Sequence, residues 1–225
     1  PASGKSRALM FIALDKLENQ GLKQALIVVP EKTIGASFND EPLIEHGFWA
    51  DWTVQPRWNL CNAPGEDGGK VNSVEAFLKS EDRVLVCTHA TFRFAVDRLG
   101  IEAFDGRLIA IDEFHHVSAN PDNKLGAHLG ALIARDKVHV VAMTGSYFRG
   151  DAEAVLSPDD ESKFETVTYT YQWLSLSEDA RYRLFLLLGF LGRQDSQSAR
   201  SERKDHPAHP QRQFPREHQG QAQGS

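Results

Sequence analysis

Arg107-Leu108-Ile109-Ala110-Ile111-Asp112-Glu113-Phe114-His115-His116 is a short apolar run that stops abruptly at two adjacent carboxylates. An uninterrupted aliphatic run of this length reads as a strand buried on both faces, the pattern of a parallel sheet covered by helices. Carboxylates at the end of such a strand are costly unless a cation or a water-filled site meets them. The same kind of run recurs at Gln24-Ala25-Leu26-Ile27-Val28-Val29-Pro30, at Arg83-Val84-Leu85-Val86-Cys87-Thr88 and at Lys137-Val138-His139-Val140-Val141-Ala142-Met143-Thr144. Between the runs, apolar residues return at helical spacing. Leu9, Met10, Ala13, Leu14 and Leu17 mark a helix over 7–20 that Gly21 stops, and further helices are expected near 74–79, 90–99 and 125–134. Strands alternating with helices predict an α/β domain with a mainly parallel sheet, its strand ends lining a shared site.

The first helix begins directly after Pro1-Ala2-Ser3-Gly4-Lys5-Ser6, which puts Lys5 and Ser6 at a helix N-terminus. Backbone N–H groups there surround phosphate oxygens, a lysine neutralises the outer phosphates, and the following hydroxyl ligates magnesium. Ala2, Ser3, Gly4, Lys5 and Ser6 are the candidate nucleotide-binding residues. The full pattern G-x-x-x-x-G-K-[ST] would place its first glycine before Pro1. Alone, Gly-Lys-Ser also reads as a polar helix start. Asp112 and Glu113 in the correct downstream order make it a nucleotide site, in which Asp112 and Ser6 hold Mg2+ and Glu113 orients or deprotonates water as the catalytic carboxylate.

Composition narrows the class. At 225 residues and 41% hydrophobic, the chain can bury one substantial core, so one domain plus a tail is expected. Asp plus Glu number 31 against 25 Lys plus Arg, a net charge of -6, so nucleic-acid contact must come from a local edge and not a general positive field. Two cysteines, Cys61 and Cys87, exclude a disulfide framework and a Cys-x-x-Cys metal clip. With no run of about 18 apolar residues and no signal segment, the chain reads as soluble and cytoplasmic, without a membrane partner.

Two regions break the alternation. Residues 31–70 lack clear periodicity and hold three of the four tryptophans, so they read as an insertion packed on the body, with core packing preferred over base stacking. Residues 173–192 form a seam, and 193–225 collapse to Gln, Arg, Ser, His and Pro, a composition expected to be disordered.

The order Gly4-Lys5-Ser6, then Ala25 to Pro30, Thr88-His89-Ala90-Thr91-Phe92, Asp112-Glu113-Phe114-His115 and Met143-Thr144-Gly145-Ser146-Tyr147 resembles the first RecA-like lobe of superfamily 2 DExH/DEAD-box helicases of the restriction-enzyme translocase type. The likeness covers residues 1–172. It implies a P-loop NTPase lobe with ATP and Mg2+ as cofactors. It also implies His115, Thr144 and Ser146 as residues coupling hydrolysis to lobe movement, and Thr88, His89 and Thr91 as contacts to a DNA or RNA backbone, although Thr88 to Thr91 also reads as a strand end with an N-cap for the next helix. Gly145 and Tyr147 depart from the family's usual Ser-Ala-Thr or Thr-Ala-Thr-Pro. The resemblance further implies a missing second RecA-like lobe and a missing first strand. The chain then reads as a truncated lobe whose sheet keeps an unpaired edge, and any nucleic-acid binding by it alone should be weak. A P-loop kinase or phosphotransferase, and a noncatalytic nucleotide-binding remnant, are the alternatives. His116 reads as a packing or solvent residue, because no other ligands stand at zinc spacing.

Overall fold

Ala25–Val29, Val84–Thr88, Leu108–Ile111 and His139–Thr144 form strands β1, β2, β3 and β4 of one sheet. Their pairings β1 with β2, β1 with β3, and β3 with β4 are all parallel. The structure is a computed structural model that describes residues 4–65, 69–117, 123–144, 157–170 and 183–189. Helix α1 spans Lys5–Glu18, α2 Lys32–Gly35, α3 Val71–Leu78, α4 His89–Leu99, α5 Lys124–Arg135 and α6 Pro158–Glu161.

Alternate residues of each strand feed opposite faces, as a period of two requires. Leu26, Val28, Leu85, Cys87, Ile109, Ile111, Val140 and Ala142 pack with α3, α4 and α5. Ala25, Ile27, Val29, Val84, Val86, Leu108, Ala110, Val141 and Met143 pack with α1 on the other face. Both faces are covered by apolar helix stripes, which is why these strands read as continuous aliphatic runs and not as alternating ones. The result is an α/β sheet with helices on both sides, a RecA-like lobe.

The stretch read as an insertion is sewn into both faces. Phe38, Leu43 and Trp52 are fully buried against the α1 side, while Trp58 and Leu60 join the opposite cluster. Trp52 and Trp58 are therefore core residues, and Trp49 is half exposed beside Phe11, their rings 4.6 Å apart. Gly35 permits the closest approach in this region: a Cβ there would lie 2.1 Å from Cys61 Sγ. Asp82 ties the segment down by accepting hydrogen bonds from the side chains of Gln55, Arg57 and Trp58.

The expected open edge is not found. Phe164–Thr170 forms β5 and Arg183–Gly189 forms β6, completing the order β2-β1-β3-β4-β6-β5. β6 runs antiparallel along the outer edge of β4, from Val140 opposite Gly189 to Thr144 opposite Phe185, and β5 pairs antiparallel with β6. The apolar run within 183–189 supplies a strand where the sequence suggested only a seam, so β4 is paired on both sides. The chain divides into units Pro1–Gly192 and Arg193–Ser225. The second unit, where a disordered tail was expected, lies outside the described residues. So do Ala2, Ser3 and the stretch containing Gly145, Ser146 and Tyr147.

Candidate nucleotide site

The C-terminal ends of the parallel strands carry the groups singled out by sequence. Thr88 ends β2, Asp112 and Glu113 follow β3, Thr144 ends β4, and α1 brings Lys5 to the same edge. This is where ligands gather in open α/β sheets, because the strand-to-helix connections there are free to vary without disturbing the core.

Gly4 precedes α1 in the left-handed region, φ 71° and ψ 3°, a conformation that glycine adopts without a Cβ penalty. A Cβ built there would have no heavy atom within 4 Å, and no described side chain caps the helix. The first N–H groups of α1 have no intrahelical carbonyl to bond. That arrangement, with Lys5 beside it, suits a phosphate group.

Lys5 Nζ lies 2.5 Å from Glu113 Oε1, joining two residues 108 positions apart. Both side chains are about one-fifth exposed. Glu113 sits at φ 49° and ψ 51°, a left-handed conformation unusual for a residue with a Cβ and of the kind found where a site holds backbone strain. Its N–H donates to Asp112 Oδ1 at 2.9 Å. Asp112 is 5% exposed. Burial pushes its carboxyl above the usual carboxylate range and Glu113 adds to the rise, while Lys5 and the Glu113 N–H oppose it. A carboxylate held in this way gains most from a nearby cation. Together with the Ser6 hydroxyl in the first turn of α1, the site offers hard oxygen donors that fit Mg2+. Among the described residues no group of three or more His, Cys, Asp or Glu side chains could hold a metal alone.

His115 connects Glu113 to β4. Its Nδ1 lies 2.9 Å from Thr144 Oγ1 and 3.2 Å from Glu113 Oε2. The structure thus brings together two of the three residues that the resemblance assigned to coupling. His116 stacks against His115 with ring centroids 4.2 Å apart.

Thr88, His89 and Thr91 stand at the junction of β2 and α4. Thr88 Oγ1 accepts from Thr91 N at 3.1 Å, capping α4, and lies 3.0 Å from Thr91 Oγ1. Thr88 is 4% exposed and Thr91 is fully buried. The local pattern of threonine three residues before threonine at a helix start carried the signal for this cap. His89 Nε2 lies 3.0 Å from the Asp112 carbonyl, which can only accept, so the ring donates. It holds the turn that carries both carboxylates, a role the sequence did not reveal.

Burial pulls the His89 pKa from 6.5 down to about 4, with His116 and His115 pulling the same way and the carbonyls of Asp112 and Val28 opposing. A base whose folded pKa is depressed contributes stability in full above its unfolded pKa and loses it as acid protonates the unfolded chain. The His89 contribution therefore falls between about pH 6.5 and 4, by roughly 3 kcal/mol when complete. Asp112 works in the opposite sense, since acid relieves its disfavoured charge. His89→Gln, which keeps a donor for the Asp112 carbonyl, should lose less stability than wild type between pH 7 and 4.5 in guanidinium melts. Equal losses in the two proteins would show that this histidine is not the acid-sensitive group.

Fold and site define an α/β lobe in which a helix-start lysine meets strand-end carboxylates. No family model matches the chain. Over 171 residues, 76% of its length, it is 54% identical to the Bacillus subtilis (strain 168) protein named "Putative ATP-dependent helicase YeeB". The matched stretch covers 28% of that relative, so the chain spans well under half of it. The similarity supports a helicase family and agrees with the RecA-like architecture. Among the described residues no helix is long and apolar enough to cross a membrane.

Proposed function

We propose that the chain is the ATP-binding lobe of a nucleic-acid-dependent ATPase of the helicase type, with Asp112-Glu113-Phe114-His115 as its DExH element. The observation that carries this reading is the Lys5–Glu113 contact, which joins the phosphate-loop cation to the strand-end carboxylates. The relative's name supports ATP as the nucleotide.

In this reading Gly4, Lys5 and Ser6 receive the phosphates, with Ala2 and Ser3 completing the loop. Ser6 and Asp112 hold Mg2+, which when bound offsets phosphate charge. Glu113, released from Lys5 as the lysine turns to phosphate, becomes available to orient the attacking water. His115 and Thr144 report the state of Glu113 to β4, the strand leading to Ser146. Residues 1–172 form the lobe together with β6 from the seam, 31–70 are its insertion and 193–225 a tail. A second RecA-like lobe supplies the arginines that a developing phosphoryl charge requires. The DNA or RNA contact is at the Thr88-His89-Ala90-Thr91 end of β2, where the resemblance puts it.

Magnesium-dependent ATP binding measured by calorimetry tests the site. Lys5→Ala should weaken it by about tenfold or more, because a charge-assisted contact to phosphate is removed. Equal affinities in wild type and variant would reject the phosphate role of Lys5. Phosphate transfer to a small acceptor would favour the kinase alternative, and binding with no turnover even when a second lobe is supplied would favour a noncatalytic remnant.

A further inference from the structure

The opposite edge of the sheet holds a cavity of about 440 Å³, lined in part by Lys23, Gln24, Lys79, Glu81, Arg83 and Arg107. Four cations and one carboxylate line this concavity in a chain whose net charge is -6. We propose that it is a second anion site, distinct from the nucleotide site, that takes phosphate groups of a small polyphosphate or of an exposed single strand.

Its floor is fixed. Arg107 donates from Nε to Gln24 Oε1 at 2.8 Å, from Nη1 to the carbonyls of Ala103 and Asp105 at 3.0 Å each, and from Nη2 to the Leu78 carbonyl at 2.8 Å. These acceptors are neutral, so they orient the guanidinium without cancelling its charge. A guanidinium has five donors, and one is left over. The nearby carboxylate of Asp105 offsets part of the charge, but both its oxygens are engaged by Arg135 at 2.8 and 2.9 Å. Gln24, 3% exposed, is locked in turn by donating to the carbonyls of Phe77, Ser80 and Asp82. Holding donors in place before binding removes the ordering cost that weakens most surface anion contacts.

The rim supplies adjustable charge. Lys23 has no ion pair among the described residues. Arg83 pairs with Glu18, and Lys79 with Glu75, through largely exposed side chains. Exposed pairs contribute little and exchange readily for a stronger anion. The volume suits a small molecule, and the cationic side chains of the lining favour an anion over an apolar ligand.

The test uses Lys5→Ala as background, so that pyrophosphate binding at the phosphate loop does not contribute. Calorimetry with pyrophosphate and with a 5′-phosphorylated single-stranded oligonucleotide should still show one site, weakened by added salt. Adding Lys23→Ala and Arg83→Ala, which leave the Arg107 floor intact, should weaken it by about tenfold or more. Loss confined to pyrophosphate identifies a free polyphosphate as the source, and loss for both probes identifies the strand. No binding in the Lys5→Ala background, or binding unchanged by the two rim substitutions, overturns the assignment. Arg107→Lys gives a second reading: it keeps the charge but cannot reproduce the fork, so a folded variant with full pyrophosphate affinity would also overturn it.

Discussion

Glu113→Gln should bind ATP at least as tightly as wild type while hydrolysing it about a hundredfold or more slowly. Glutamine is nearly isosteric, but it cannot accept a proton and cannot neutralise Lys5. Two consequences separate cleanly. The contact between Lys5 Nζ and Glu113 Oε1 at 2.5 Å is an ion pair that phosphate must displace, and the substitution weakens this competitor. The water-orienting carboxylate is lost at the same time, so affinity and turnover move in opposite directions. A group that merely held the fold would lower both through the folded fraction. The measurement is single-turnover ATP hydrolysis beside calorimetric affinity, with and without single-stranded nucleic acid. Hydrolysis at the wild-type rate in Glu113→Gln would remove Glu113 from the catalytic role. The wild-type rate should itself be slow, because an arginine supplied by another lobe is worth about a thousandfold or more, and the chain alone should not separate a duplex.

Much of the fold was legible because its strands are buried on both faces. A run such as Leu26-Ile27-Val28 admits few readings when Pro30 and a polar turn follow it, and the four parallel strands fall where the runs predicted. β6 was not legible. The apolar run within 183–189 stood in a seam of uncertain structure, and its pairing with β4 depends on residues more than forty positions away, which no local pattern encodes. The insertion was also opaque, since Phe38, Leu43 and Trp52 reach the core from irregular segments without periodicity.

The site was legible in its composition more than in its geometry. Lys5, Asp112 and Glu113 could be named from residue type and order, because few roles justify a lysine after glycine at a helix start and two carboxylates at a buried strand end. Their direct contact could not, because it needs the relative placement of α1 and β3. The Thr88 segment shows the converse. A threonine can contact phosphate or cap a helix, and only the structure shows the cap, with Thr91 fully enclosed. His89 is the clearest omission, since a histidine at a strand end gives no local sign that its partner will be a carbonyl on a neighbouring turn.

Phe92→Ala should cost about 3 to 5 kcal/mol of folding stability, the range for deleting a buried aromatic ring and leaving a cavity. Phe92 is fully buried on the first turn of α4 and meets Phe104 edge-on, with ring centroids 5.3 Å apart. The ring therefore anchors the helix whose first residue, His89, holds the Asp112 carbonyl. Loss of packing beneath that turn should loosen the carboxylate pair before the whole lobe unfolds, because α4 reaches the site only through its N-terminal end. Denaturant melts should show a lower midpoint, and ATP affinity should fall in the fraction that remains folded. Phe92→Leu, which refills part of the volume, should recover most of both. A variant that loses stability by the expected amount yet binds ATP with unchanged affinity per folded molecule would show that the turn bearing Asp112 and Glu113 is held by β3 and α1 without help from α4. The His89 contact would then be a consequence of packing and not a support of the site.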